Sequence, residues 1–153
     1  MAYAQYPSVL PLALQNGRSY KTTSTVKRST MATGRALQRK RYPDVPTYAK
    51  FEWLMNSAES QAFQGWCRDA IHDCVDWFDC PAKTPLGLNI HTIRMTDSYD
   101  GPTLRGPDLW MFSAEIEFMK RPLIKIGDGL FPEDIVYSKL FDITMNRNWP
   151  END

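Results

Sequence analysis

Acid is scarce at the front of this 153-residue chain. The first fifty residues hold one carboxylate, Asp44, against nine Lys and Arg, a surplus of +8 that the remaining 103 residues balance at −8. Histidine is limited to His72 and His91, which leaves few candidate general bases or imidazole ligands. No run of about 18 apolar residues occurs, so no membrane-spanning helix is expected. The first fourteen residues lack the basic lead of a secretory signal. Cysteine is confined to Cys67, Cys74 and Cys80, an odd set without the two-residue gaps of zinc knuckles or redox pairs. Buried free thiols in a reducing compartment are expected from it. The eight glycines are scattered, with neither a phosphate loop nor a dinucleotide fingerprint.

What is present is aromatic and proline-rich. Five Trp, seven Tyr and seven Phe within a 42% apolar composition exclude a wholly disordered chain, and 11 prolines favour strands and long loops over a helical bundle. The expected class is α+β, mostly β, and the length suits a single domain over residues 1–153 with one core.

Local patterns sharpen this. Residues 9–17 and 20–26 read as extended segments around the turn signal Asn16-Gly17, a plausible hairpin. Residues 18–47 form a basic arm or long loop, because charge and Gly34 break any clean period. Along residues 48–55, Ala49, Phe51, Trp53 and Met55 alternate with polar neighbours, as in a half-buried strand. Asn56 followed by Glu59 resembles a capping box, and the apolar stripe from Phe63 through Trp66, Cys67, Ala70, Ile71 and Cys74 predicts one amphipathic helix over about residues 57–76. Gly65 inside it suggests close approach by another backbone. A strand is expected over 88–95, a turn-rich loop over 97–108, and a strong strand where Trp110, Phe112, Ala114, Ile116 and Phe118 alternate with polar residues. Residues 121–153 form a C-terminal extension without a decisive period, ending in Asn148-Trp149-Pro150.

No catalytic constellation emerges. Asp69, His72 and Asp76 have spacings that let them meet on one helix side and hold a divalent ion or a proton, but no second ligand cluster accompanies them. His91 lies beside Arg94 without a recognisable triad. Glu115 and Glu117 share a strand's polar face, as solvated carboxylates commonly do and as hydrolytic pairs require. No enzyme activity, cofactor or metal is expected. The polarised charge instead suits heterologous self-assembly, in which one copy's basic arm meets the next copy's acidic face. A nucleic-acid site on the same arm competes with it, as does a solvated loop without a partner.

Several features, taken together, resemble the short structural proteins of tailed bacteriophages known as minor tail or tail-tip proteins. They are the run Arg28-Ser29-Thr30-Met31-Ala32-Thr33-Gly34-Arg35 with Arg39 and Arg41, the segment Pro46-Thr47 leading to Phe51-Glu52-Trp53, and Gln61-Ala62-Phe63 with Trp66. Asp76-Trp77-Phe78, Arg94, the strand over 110–118 and the closing Asn148-Trp149-Pro150 complete the set. The resemblance implies the tail-tube and distal-tail adaptor plan, an antiparallel β-sandwich or barrel with one flanking helix, arranged in homo-oligomeric, commonly sixfold, rings around a lumen through which DNA passes. It implies a virion protein of the tail, assembled in the host cytoplasm, whose neighbours are tube, hub or tip, or terminator and connector proteins. An adaptor, a tail-completion protein and a head-tail joining protein all remain open. On that plan the subunit interface would use Arg28, Arg35, Arg39, Lys40 and Arg41 against acids such as Asp73, Asp76, Asp79, Glu115 and Glu117 of a neighbour, with Trp149 as an apolar anchor. Exposed ion pairs contribute only about 0 to 1 kcal/mol each, so apolar burial must supply most of the affinity.

Overall fold

The computed structural model describes residues 2–42 and 45–148. It is a mostly-β α+β fold in which residues 1–122 and 123–153 form two compact units, taken separately below. Trp149, the proposed apolar anchor, lies outside the described residues.

The first unit is built on β5 (Thr47–Met55) and β9 (Trp110–Phe118), antiparallel along their whole length from Thr47↔Phe118 to Met55↔Trp110. Both show the expected alternation. Ala49, Phe51, Trp53 and Met55 on one strand, and Phe112, Ala114, Ile116 and Phe118 on the other, are buried on a common face. Each large side chain so buried contributes about 1.5–3 kcal/mol. On its other edge β9 is shared: β7 (Gly87–Met95) pairs with Ile116 to Phe118, and β8 (Asp100–Leu104) pairs nearer the start of the strand. The segment expected as a loop over 97–108 thus contributes a strand. Beyond β7 come β6 (Phe78–Thr84) and the two-residue β1 (Ala4–Gln5), and beyond β5 comes β2 (Tyr20–Thr22). All pairings are antiparallel except β1 with β6, so the seven-stranded sheet is mixed. β6 alternates, with Phe78, Cys80, Ala82 and Thr84 buried, but Pro81 within it reads in sequence as a stop and not as a strand residue. The strand tolerates that proline because β1 reaches only Phe78 and Asp79, leaving residue 81 on an open edge.

The sheet curls without closing into a barrel. β2 and β6 stand near opposite ends of the strand order, yet the Tyr20 hydroxyl donates to the Lys83 carbonyl at 2.6 Å. Residues 6–18 fill the seam with buried Tyr6, Leu10 and Ala13. The Arg18 guanidinium donates to the Ala13 and Leu14 carbonyls at 2.9 Å and stacks 4.2 Å from the Phe51 ring centre. The expected hairpin around Asn16-Gly17 is therefore absent. Gly17 does turn, with φ 71°, but residues 7–16 plug the core, where Pro7 and Pro11 have no N–H for a ladder, and β2 pairs with β5 instead.

Helix α1 (Ser57–Ala70) begins at the anticipated capping box: the Asn56 side chain accepts from Glu59 N–H at 2.9 Å, and the Glu59 carboxylate accepts from Asn56 N–H at 2.9 Å. Its buried Phe63 stands 5.4 Å from Trp53 and 5.1 Å from Phe112, which seats the helix on the core face. The helix ends at residue 70, six residues before the sequence pattern does. His72, Asp73 and Cys74 adopt φ of 46°, 56° and 72°, a left-handed turn costing about 1–2 kcal/mol for each such residue. That turn still buries Ile71 and Cys74, so the apolar stripe outlasts the helix, while Val75 is exposed. Among the described residues, and apart from its own helix backbone and chain neighbours, Gly65 meets no atom within 4 Å of where a Cβ would stand, so no other segment approaches it.

The arm is not a loop throughout. β3 (Val26–Thr30) and β4 (Ala36–Lys40) form a separate hairpin, closed by residues 31–35 with Gly34 at φ 79°. Charges on both faces hid the alternation that marks a strand with one buried side.

The second unit holds a 3₁₀ turn (Asp128–Leu130) and helix α2 (Pro132–Asn148), a second helix that the sequence pattern did not disclose.

Candidate assembly surface

Among the described residues the β3–β4 hairpin pairs with no other strand, and nine of its ten strand residues are exposed. Register places Lys27 opposite Arg39 and Val26 opposite Lys40, so two cations face one another across the ladder, a destabilising arrangement. Residues 20–42 hold Lys21, Lys27, Arg28, Arg35, Arg39, Lys40 and Arg41 and no acid at all. Apolar side chains are interleaved with them: Val26, Met31, Leu37 and Tyr42 are half or nearly half exposed, and Arg41 lies 5.1 Å from the Tyr42 ring centre. A lone two-stranded hairpin is marginal in water. This one combines that deficit with unneutralised charge.

The acids expected to receive the arm divide into two groups. Asp79 already accepts from Gln5 at 2.9 Å and from Thr92 at 2.7 Å, and Glu117 binds Arg94 at 2.6 Å while that guanidinium stacks 4.5 Å from the Trp77 ring centre. Both are engaged inside their own chain. Asp73, Asp76 and Glu115 remain exposed, with Asp76 bonded to His72 Nδ1 at 2.6 Å and Glu115 accepting from Thr96 at 3.3 Å. Sequence spacing alone did not separate the two groups, because the partners of Asp79 and Glu117 come from other strands.

Of the conceivable chemical sites, Asp69 turns to Arg68 at 2.7 Å, so the Asp69, His72 and Asp76 trio does not form. His72 and Asp76 do meet, across the left-handed turn and not along a helix. Among the described residues no group of three His, Cys, Asp or Glu is placed to hold a metal ion. His91 lines a depression of about 350 Å³ with Tyr3, Thr92 and Lys120, and no carboxylate shares it. Glu115 and Glu117 lie on the face of β9 opposite the core, and Glu117 borders a depression of about 240 Å³ beside Pro46 and Trp77.

The second unit carries apolar surface that residue pattern alone did not single out. Ile126, Leu130, Phe131, Val136, Tyr137 and Ile143 are all more than half exposed. On α2 the apolar residues are spread around the helix without forming one stripe, as on helices covered from several sides.

Comparison with protein-family models, with curated proteins and with solved structures finds no match to this chain.

Proposed function

We propose that this chain is a non-enzymatic virion building block of a tailed bacteriophage, a ring-forming tail component of the tail-tip or distal-tail adaptor type that joins the tube to its neighbours and leaves a passage for DNA. The bacteriophage assignment rests on the residue resemblance; the assembly role rests on the basic hairpin. A hairpin with Lys27 facing Arg39, no internal acid and exposed Val26 and Leu37 has no stabilising partner in its own strand ladder, whereas a second copy offers the exposed Asp73, Asp76 and Glu115. Heterologous contacts of this kind close into rings when the rotation permits. The exposed apolar residues of the 123–153 unit add the burial that surface ion pairs cannot supply.

The test is sedimentation velocity over a concentration series, with negative-stain microscopy of any fast species, on the wild-type chain and on Arg39→Glu/Lys40→Glu/Arg41→Glu. Concentration-dependent rings from wild type and monomers from the variant are expected. A wild type that stays monomeric throughout, or a variant that assembles equally well, overturns the proposal. The same hairpin, basic on both faces, also favours phosphate binding as a second reading. Salt-sensitive gel shifts of duplex DNA, lost in the triple variant, would favour it over self-assembly.

A further inference from the structure

Two of the three buried thiols are brought together by an unusual piece of backbone. Cys67 is in the last turn of α1, and Cys74 follows seven residues later, a separation that a continuing helix would stretch to roughly 10 Å along its axis. The left-handed run His72-Asp73-Cys74 folds the chain back instead: Asp73 N–H donates to the Cys67 carbonyl at 3.0 Å, and Val75 and Asp76 N–H both return to the Ile71 carbonyl. The thiols of Cys67 and Cys74 thereby come within hydrogen-bonding reach of each other. Three successive non-glycine residues in this region are strained, and such strain persists only where the surroundings enforce it. Here it places two sulfurs side by side. Cys80, on β6, is fully buried and has no thiol partner.

We propose that Cys67 and Cys74 are a dithiol that closes to an intramolecular disulfide when the folded chain meets a small disulfide oxidant of the glutathione class. The Cys74 thiolate attacks one sulfur of the oxidant and expels the first thiolate, leaving a mixed disulfide. Cys67 then gives up its proton and attacks the Cys74 sulfur, expelling the second. The two protein thiols lose two hydrogens and two electrons, and the oxidant becomes two thiols. Cys74 is the attacking group because, although buried itself, it is covered by a short turn whose residues His72, Asp73, Val75 and Asp76 are exposed, so opening of that turn bares it, whereas Cys67 is held under the helix against the core. The hydrogen bond from Cys67, with the Tyr99 backbone also bonded to the sulfur, draws the Cys74 thiol down to about 7, and the same pairing pushes Cys67 up. Burial pushes Cys80 up to about 12, which leaves it the least reactive toward the oxidant. The disulfide would fasten the segment that carries Asp73 and Asp76 to the end of α1.

The experiment treats the native full-length chain with glutathione disulfide, quenches in acid, and alkylates in denaturant with N-ethylmaleimide before intact-mass and tryptic analysis. Trypsin cuts after Arg68 and Lys83, so the disulfide joins two peptides, and because Cys74 and Cys80 share the peptide 69–83, fragmentation of the linked pair between them locates the maleimide and the link. The expected product is two hydrogens lighter, carries one maleimide on Cys80, and yields a linked peptide pair containing Cys67 and Cys74. Cys67→Ser should stop at a glutathione adduct on Cys74, and Cys80→Ser should behave as wild type. Three alkylated thiols, a persistent glutathione adduct in wild type, or a link through Cys80 would each overturn the proposal. Because the wild-type peptide map decides the matter, failure of a variant to fold does not.

Discussion

Replacing Gly65 by Ala should stabilise the monomer. The residue lies in the interior of a 14-residue helix, where glycine is less favourable than alanine by about 0.8–1.0 kcal/mol. That gain is realised only if the new methyl group fits, and among the described residues no atom outside the helix's own backbone and the chain neighbours stands within 4 Å of its position. The neighbouring Trp66, edge-on to Tyr6 at 5.6 Å and to Phe78 at 5.1 Å, keeps its place because it leaves the helix in a different direction. For a chain of this length about 0.9 kcal/mol corresponds to a melting temperature higher by roughly 2–4 °C. It also moves the urea midpoint up by about 0.3–0.9 M with an unchanged slope. Scanning calorimetry and urea titration at concentrations where the chain is monomeric provide the measurement. An unchanged or lowered midpoint would refute the reasoning, since it would mean that the space beside residue 65 is filled in the folded monomer. A stabilised monomer that no longer assembles would instead place a neighbouring copy's backbone against that open face.

Two further outcomes follow from the core. Phe63→Ala empties a site ringed by Trp53, Phe112 and Tyr99 at 5.4, 5.1 and 5.6 Å, and should cost about 3–5 kcal/mol in denaturant unfolding, where a loss below about 1 kcal/mol would mean that α1 is not seated there. His91 has an Nε2 without a hydrogen-bond partner, and burial holds its pKa below the usual 6.5. The unfolded chain therefore takes up more protons once the pH falls through about 6.5, so stability rises with pH across that window and declines on acidification. His91→Gln should flatten the decline in melting temperature between about pH 7 and pH 5, and a variant as acid-sensitive as wild type would assign the effect to other groups.

The position of the arm in the charge distribution was legible from residue order alone, because a surplus of +8 over fifty residues needs no three-dimensional information. Which acids remain available to meet it was not. Asp79 and Glu117 look as free as Asp73 in sequence, yet Thr92 and Arg94, brought alongside by strand pairing, bond to them. The hairpin within the arm escaped notice for a related reason: alternation is visible only when one face is apolar, and Arg28 and Lys40 occupy one face of this ladder while Lys27 and Arg39 occupy the other.

Sequence by itself determined the elements whose periodicity records a buried side. β5 and β9 alternate because one face of each meets the core, and α1 starts where Asn56 and Glu59 satisfy its first free N–H groups. Tertiary structure decided what depends on distant partners. Pro81 is tolerated because the neighbouring strand is only two residues long, and residues 7–16 forgo a hairpin because Tyr6, Leu10 and Ala13 are needed across the seam of the curled sheet. The helix stops at residue 70 although its apolar stripe continues, since a left-handed turn buries Ile71 and Cys74 where a straight helix would carry them onward. Local patterns encode which side of an element is apolar, whereas the place where that side finds its cover is settled only when the whole chain has packed.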